Sequence, residues 1–93
     1  GVVPWMVPGG ADIALATCEK MKDYEAAVWA HHGLFVSGPD FDTTFGLMHT
    51  IEKAAQIWVL AHSCGQERQT ITDDNLRAIA REFEVTLRED FLD

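Results

Sequence analysis

Two adjacent histidines, His31 and His32, are the residues of this 93-residue chain best placed to do chemistry. They follow an apolar run and precede Gly33, so they lie where a predicted strand ends in a sharp turn. A side chain at such a point projects from a rigid frame into a cleft, and an imidazole there suits a divalent metal ion. Because side chains alternate along a strand, only one of the two histidines can face a given site. One histidine does not complete a catalytic zinc site, which usually has three protein ligands and an open position.

The remaining candidates for chemistry fit structural roles better. His49 and His62 lie on different faces of one predicted helix and belong to no HExxH or HxxxH pair. Glu52 lies one position from the inner stripe of that helix, where partial burial is expected, and a cap or a salt bridge suits it better than general acid–base chemistry. Cys18 and Cys64 form no CxxC pair, which favours two reduced thiols over a disulfide. The chain contains neither a Gly-rich phosphate loop nor a GxSxG nucleophile turn.

Composition and charge narrow the possible partners. The chain is 47% hydrophobic and 24% charged, as in ordinary globular proteins, and its net charge is -8. The seven basic residues are scattered, so nucleic acid and anionic membranes are poor partners. An anionic substrate would need a locally positive site, which a bound metal can provide. No apolar stretch approaches the ~20 residues of a membrane span. Residue 1 is Gly rather than Met and residues 1–8 have no targeting character, which predicts the interior of a longer chain, and a trimmed terminus would leave the same pattern.

The predicted elements make this an α/β chain of at most one domain. Residues 2–7 form a short extended segment, which Pro4 and Pro8 confine to a sheet edge or a loop because proline lacks an N–H. A helix runs from Asp12 to about Lys22, with three residues at helical spacing on the face that packs: Ala14, Cys18 and Met21. Residues 25–31 and 34–36 form two strands. The tight connection His32–Gly33 joins them, and there the glycine can take a positive φ.

Two further helices follow. Asp40 caps the start of the long one and Gly65 ends it, while its inner stripe is Met48, Ile51, Ala55, Trp58 and His62. Thr72 caps the last helix, whose inner stripe is Leu76, Ile79, Ala80 and Phe83. Two arrangements stay open for residues 85–93: a loose tail, or one docked onto a neighbour.

One segment carries a family resemblance. Residues 28–39, VWAHHGLFVSGP, resemble the class II aldolase/adducin family, in which an apolar strand ends in a metal-binding His followed by Gly. A bare His-Gly pair is weak support. Other segments match in the same order along almost the whole chain, and they are similar to the C-terminal third of the members that act on L-rhamnulose 1-phosphate. These segments are GVVPWMVPG (1–9), TTFGL (43–47), EKAAQ (52–56) and QTIT (69–72).

The resemblance implies that residues 1–93 are the C-terminal segment of a single domain rather than a complete one. That domain would have a three-layer α/β/α fold with a mainly antiparallel central sheet, in a cytoplasmic homotetramer. The implied reaction is the reversible cleavage of L-rhamnulose 1-phosphate to dihydroxyacetone phosphate and L-lactaldehyde. Zinc would hold substrate oxygens and stabilise the enediolate.

The resemblance also assigns the metal ligand. His32 takes the position of the family's third histidine ligand, whereas His31 falls where the family requires no histidine. The other two ligands come from a His-x-His motif that lies upstream in the family, as do the catalytic glutamate and the phosphate-binding loops. We therefore expect no catalytic residue within this segment, and Glu52 is not a substitute. The isolated chain should be inactive and should need the remainder of the aldolase chain as its partner.

Two alternatives stay open. Another class II sugar-phosphate aldolase or a pentulose-phosphate epimerase would share the His-Gly strand. A non-catalytic, adducin-like interaction module would share the fold without the upstream ligands. The upstream sequence distinguishes an enzyme from the interaction module, since a His-x-His motif with a glutamate there favours the enzyme and their loss favours the module.

Overall fold

The chain begins with a βαβ unit made of β1 (Val2–Val3), α1 (Ala11–Lys20) and β2 (Ala26–Trp29). The structure is a computed structural model that describes residues 1–65 and 69–92. Two compact units divide the chain, Gly1–Leu60 and Ala61–Asp93. No helix within the described residues has the length and apolar character needed to cross a bilayer.

The sheet has three strands in the order β1-β2-β3, with β3 at Gly33–Val36. β1 pairs in parallel with β2, whereas β2 and β3 form an antiparallel hairpin that aligns Ala26 with Val36 and Trp29 with Gly33. β1 lies at the sheet edge, as the prolines that follow it predict. These three strands form a mixed sheet, and a mainly antiparallel sheet within three layers stays a prediction for the whole domain.

The core of the first unit lies between α1 and one face of the sheet. Val3, Ile13 and Ala27 are buried, and Thr17 is only 6% exposed. Met21 of the predicted helical spacing packs against this core, whereas Ala14 and Cys18 are exposed, and the buried residues of α1 are Ile13 and Thr17. The apolar pattern omits Thr17 because its side chain is polar, and the structure satisfies its hydroxyl by hydrogen bonds. The predicted bounds of α1 and the two strands are confirmed within a few residues.

The opposite face of the sheet is open. Val2 is 63% exposed and Val28 is 44% exposed, and the two residues are neighbours in the parallel pair. Alternation along the strands turns them away from α1, toward a side that no described residue covers well. Long helix α2 (Phe41–Ser63) is similar, since it buries no residue along its length. Its predicted stripe is half-buried at Met48 and Ile51 but exposed at Trp58.

The helix ends follow the sequence signals closely. Asp40 caps α2, and Gly65 follows the helix with a φ of 65°. Thr72 caps α3 (Asp73–Glu82) by accepting a hydrogen bond from the Asn75 N–H at 3.3 Å. The tail carries a 3₁₀ turn, Glu89–Phe91. It is docked on its own unit, because a carboxylate oxygen of Glu89 lies 2.9 Å from the Arg77 guanidinium.

The cap of α2 carries a pH-dependent prediction. Asp40 Oδ1 accepts the Thr43 N–H at 2.7 Å and Oδ2 accepts the Thr43 hydroxyl at 3.0 Å, and these bonds hold the pKa of Asp40 below its ordinary value of 3.8. The stabilisation is therefore present above pH 3.8 and is lost as pH falls through the lower folded value. We expect Asp40→Ala to lower the melting temperature at pH 7, and Asp40→Asn to lower it less because an amide still caps.

Thermal unfolding of the complete polypeptide from pH 7 down to pH 2 measures this effect. The advantage of the wild type over Asp40→Asn should shrink below pH 3.8. Equal melting temperatures for the wild type and Asp40→Ala at pH 7 would show that the cap contributes nothing.

Candidate functional site

The histidine pair lies in the turn between β2 and β3. The His32 N–H donates a hydrogen bond to the Trp29 carbonyl at 3.0 Å, which closes a four-residue turn. The Ala30 N–H donates to the Val3 carbonyl at 3.0 Å and ties the start of this turn to β1. His31 occupies the third position of the turn with a φ of 61°. Type II turns require a positive φ there.

The predicted role of Gly33 in this turn is therefore wrong. Gly33 is the first residue of β3 and pairs with Trp29, so the connection is Ala30–His31–His32. The left-handed residue is His31, and histidine is among the non-glycine residues enriched in that region. Strand alternation does not separate the two imidazoles, since neither histidine lies in a strand.

The His32 side chain is exposed at the end of the hairpin and contacts one aromatic ring. Its imidazole centroid lies 5.2 Å from that of Trp29, with the two planes tilted by 59°. Neither imidazole nitrogen is hydrogen-bonded to any residue in the described ranges 1–65 and 69–92. A ring with free nitrogens on a hydrogen-bonded hairpin can accept a metal ion from solvent.

Trp29 is itself held by a hydrogen bond to α1. Its Nε1–H donates to Thr17 Oγ1 at 2.9 Å, and the Thr17 hydroxyl donates to the Ile13 carbonyl at 2.6 Å. The indole also stacks on Phe35, with centroids 6.0 Å apart and planes within 4° of parallel. Sequence reasoning missed this support. The spacing Trp29-x-x-His32 across a turn was the available signal.

The other sequence candidates have surroundings of their own. His49 is exposed and meets the Phe45 ring edge-on at 6.1 Å. Glu52 is exposed and accepts a hydrogen bond from the Gln56 amide at 3.2 Å, so the expected partial burial is wrong. His62 is also exposed. Cys18 and Cys64 are not joined by a disulfide.

The described residues offer no complete set of metal ligands. Across the residues that the structure describes, no group of three or more His, Cys, Asp or Glu side chains could hold a metal ion. The exposed imidazole of His32 fits one position of a three-histidine zinc site. The remaining ligands of such a site would have to come from polypeptide outside this segment.

Comparison with known proteins gives a consistent family. Residues 1–59 match the model described as Class II Aldolase and Adducin N-terminal domain. Over 92 residues, or 99% of this chain, the sequence is 45% identical to a rhamnulose-1-phosphate aldolase of Listeria innocua and 44% identical to one of Listeria monocytogenes. Over 86 residues it is 46% identical to the protein of that name in Yersinia pestis.

The matched region is a fraction of those relatives. The alignments span 34% of the Listeria proteins and 31% of the Yersinia protein. The chain thus covers about a third of the length of the curated relatives that it matches, and the match falls in their C-terminal third.

Proposed function

Because the chain belongs to the class II aldolase and adducin family, we propose that it is the C-terminal segment of a zinc-dependent rhamnulose-1-phosphate aldolase. The complete enzyme would reversibly cleave L-rhamnulose 1-phosphate to dihydroxyacetone phosphate and L-lactaldehyde. The names of the relatives support this substrate. The observation that carries the proposal is the His32 imidazole, exposed with free nitrogens at the hairpin end, inside the segment that the family model matches.

In this proposal His32 is one of the zinc ligands, and the remainder of the aldolase chain provides the others. A zinc ion held there would supply Lewis-acid stabilisation of negative charge on substrate oxygens. The chain's own contribution is positional. The hairpin hydrogen bonds hold the His32 backbone, so the point from which its side chain projects is fixed. A fixed ligand loses little conformational entropy when the site assembles.

The remainder of the chain would also supply the general acid–base carboxylate and the phosphate contacts. Exposed Glu52, hydrogen-bonded to Gln56, takes neither role. The positive charge of the metal also offsets the acidic character of this segment, whose net charge is -8, for an anionic sugar phosphate. We further propose that the complete protein is a cytoplasmic homotetramer, as the family resemblance implies.

An activity assay on the complete polypeptide tests the proposal. We expect zinc-dependent release of L-lactaldehyde and dihydroxyacetone phosphate from L-rhamnulose 1-phosphate, and its loss on chelation with recovery when zinc is returned. Cleavage only of a different sugar phosphate, or epimerisation of a pentulose phosphate, would show that the complete protein has another activity of the same family instead of the proposed one. A zinc-loaded protein without any turnover would favour the adducin-like interaction module.

A further inference from the structure

Trp29 contacts His32 in two independent ways. Its carbonyl accepts the His32 N–H at 3.0 Å, and its indole lies 5.2 Å from the imidazole centroid. The first contact fixes the His32 backbone, and the second limits the rotation of the imidazole about its side-chain bonds. No other ring contact holds His32 among the residues that the structure describes. The direction of the imidazole therefore depends on where the indole lies.

The indole is not held by close packing alone. A groove of about 500 Å³ opens between α1 and the sheet, and its lining includes Trp29, Phe35 and Ile13. One side of the indole therefore borders open space, and packing there leaves it room to shift. What fixes it is the Phe35 ring stacked against it and the hydrogen bond from Nε1–H to Thr17.

Thr17 is the polar residue of an otherwise apolar core. Its side chain is buried, and both of its hydroxyl hydrogen bonds are used, one to the Ile13 carbonyl and one from Trp29. A valine of the same shape would pack equally well in this position but would leave the indole N–H without its partner. The hydroxyl thus serves the position of the indole rather than the packing of α1.

We propose that Trp29, anchored by Thr17, is a positioning residue that orients the His32 imidazole toward the metal. The inference rests on the proposed function, since it assigns a role to residues around the proposed ligand. Partners that orient a ligand typically change metal affinity by about 10–100-fold when they are removed. Thr17 affects the His32 imidazole indirectly, because its hydroxyl holds the indole.

Zinc affinity of the complete polypeptide tests the inference, measured by competition with a chelator of known affinity. We expect Trp29→Leu to raise the zinc dissociation constant at least about tenfold. Thr17→Val removes the indole–hydroxyl bond with little change in volume, whereas Trp29→Phe removes the same bond together with one ring of the indole, and both should weaken zinc binding. Their combination should cost no more than Trp29→Phe alone, because Thr17 acts only through the bond that Trp29→Phe already removes. Thr17→Ser keeps the hydroxyl and should therefore bind zinc with the affinity of the wild type.

Two controls separate this role from general packing. Trp5 is 62% exposed and lies outside the hairpin, so Trp5→Leu should leave zinc affinity unchanged. In the metal-free protein, the NMR signals of the His32 ring protons should lose their ring-current displacement in Trp29→Leu. They should keep it in Trp5→Leu. Melting temperatures identify any variant that fails to fold, and Trp29→Phe with Thr17→Val then carries the test.

The outcomes distinguish the two levels of the account. Unchanged zinc affinity in Trp29→Leu, Trp29→Phe and Thr17→Val, together with its loss in His32→Ala, would overturn the positioning role and leave the proposed function intact. Full zinc affinity in His32→Ala would overturn the proposed function itself.

Discussion

Replacing His32 with alanine in the complete polypeptide should abolish tight zinc binding and aldol cleavage together. A methyl group offers no donor, and a three-histidine site cannot replace an imidazole that enters from a separate hairpin. Loss of a ligand costs more than loss of a partner that orients one, so we expect zinc affinity to fall by more than about 100-fold. Chelator competition and the release of L-lactaldehyde measure the two effects.

The neighbouring histidine provides the matched control. His31 lies in the same turn and is equally exposed, but its ring has no contact with that of Trp29. In His31→Ala the residue still has a side chain at the positive φ of 61°, whereas in His31→Gly the same φ carries no steric strain. We expect both variants to keep zinc binding and cleavage, and the glycine variant to be at least as stable as the alanine variant. Equal losses from His31→Ala and His32→Ala would mean that the turn as a whole, rather than one imidazole, serves the site.

The isolated 93 residues should bind zinc weakly and cleave no substrate. Metal free energy comes from the assembled set of ligands, and the described part of this chain holds no group of three. Large apolar side chains are also exposed, including Val28 on the sheet and Phe41 and Phe45 on α2. We therefore expect affinity orders of magnitude below that of the complete polypeptide.

Calorimetric titration of the isolated chain with zinc measures this difference, with the complete polypeptide as the reference. A His32→Ala version of the isolated chain shows whether any weak binding comes from the proposed ligand. Tight binding of one zinc per isolated chain would require a different site within these residues.

Much of the fold could be predicted from the sequence because its signals are local. Asp40 and Thr72 satisfy the first N–H groups of their helices by residue type alone, and Gly65 suits a left-handed end. The positions of Pro4 and Pro8 correctly placed β1 at an edge. The helix caps and the left-handed helix end depend on a few neighbouring residues, so the sequence signals for them are reliable without knowledge of distant contacts.

The predictions from sequence were wrong where contacts between distant residues determine the structure. The register that pairs Trp29 with Gly33 made Gly33 a strand residue and moved the positive φ to His31. Thr17 is buried on the side of α1 that packs on the sheet, where an indole twelve residues away donates to its hydroxyl, and no helical pattern of apolar residues reveals this contact. The predicted stripe of α2 is largely exposed because spacing indicates which face is apolar but not whether a partner covers it.

For the candidate site, too, the local signals could be predicted from the sequence and the distant contacts could not. Residue types and spacing pointed to the His31–His32 pair, because an imidazole beside a glycine at a strand end marks a position on a hairpin. They left both histidines open, and only the family resemblance separated them. The support from Trp29 and Thr17 depends on three-dimensional contacts, since it joins a turn to the buried side of α1.

The most direct test is X-ray diffraction from crystals of the zinc-loaded complete polypeptide, recorded on both sides of the zinc absorption edge. The account predicts one anomalous peak per chain at about 2.0–2.1 Å from an imidazole nitrogen of His32. The other protein ligands should come from residues outside these 93. A single strong peak away from the β2–β3 turn, with the His32 ring touching no metal, would contradict it.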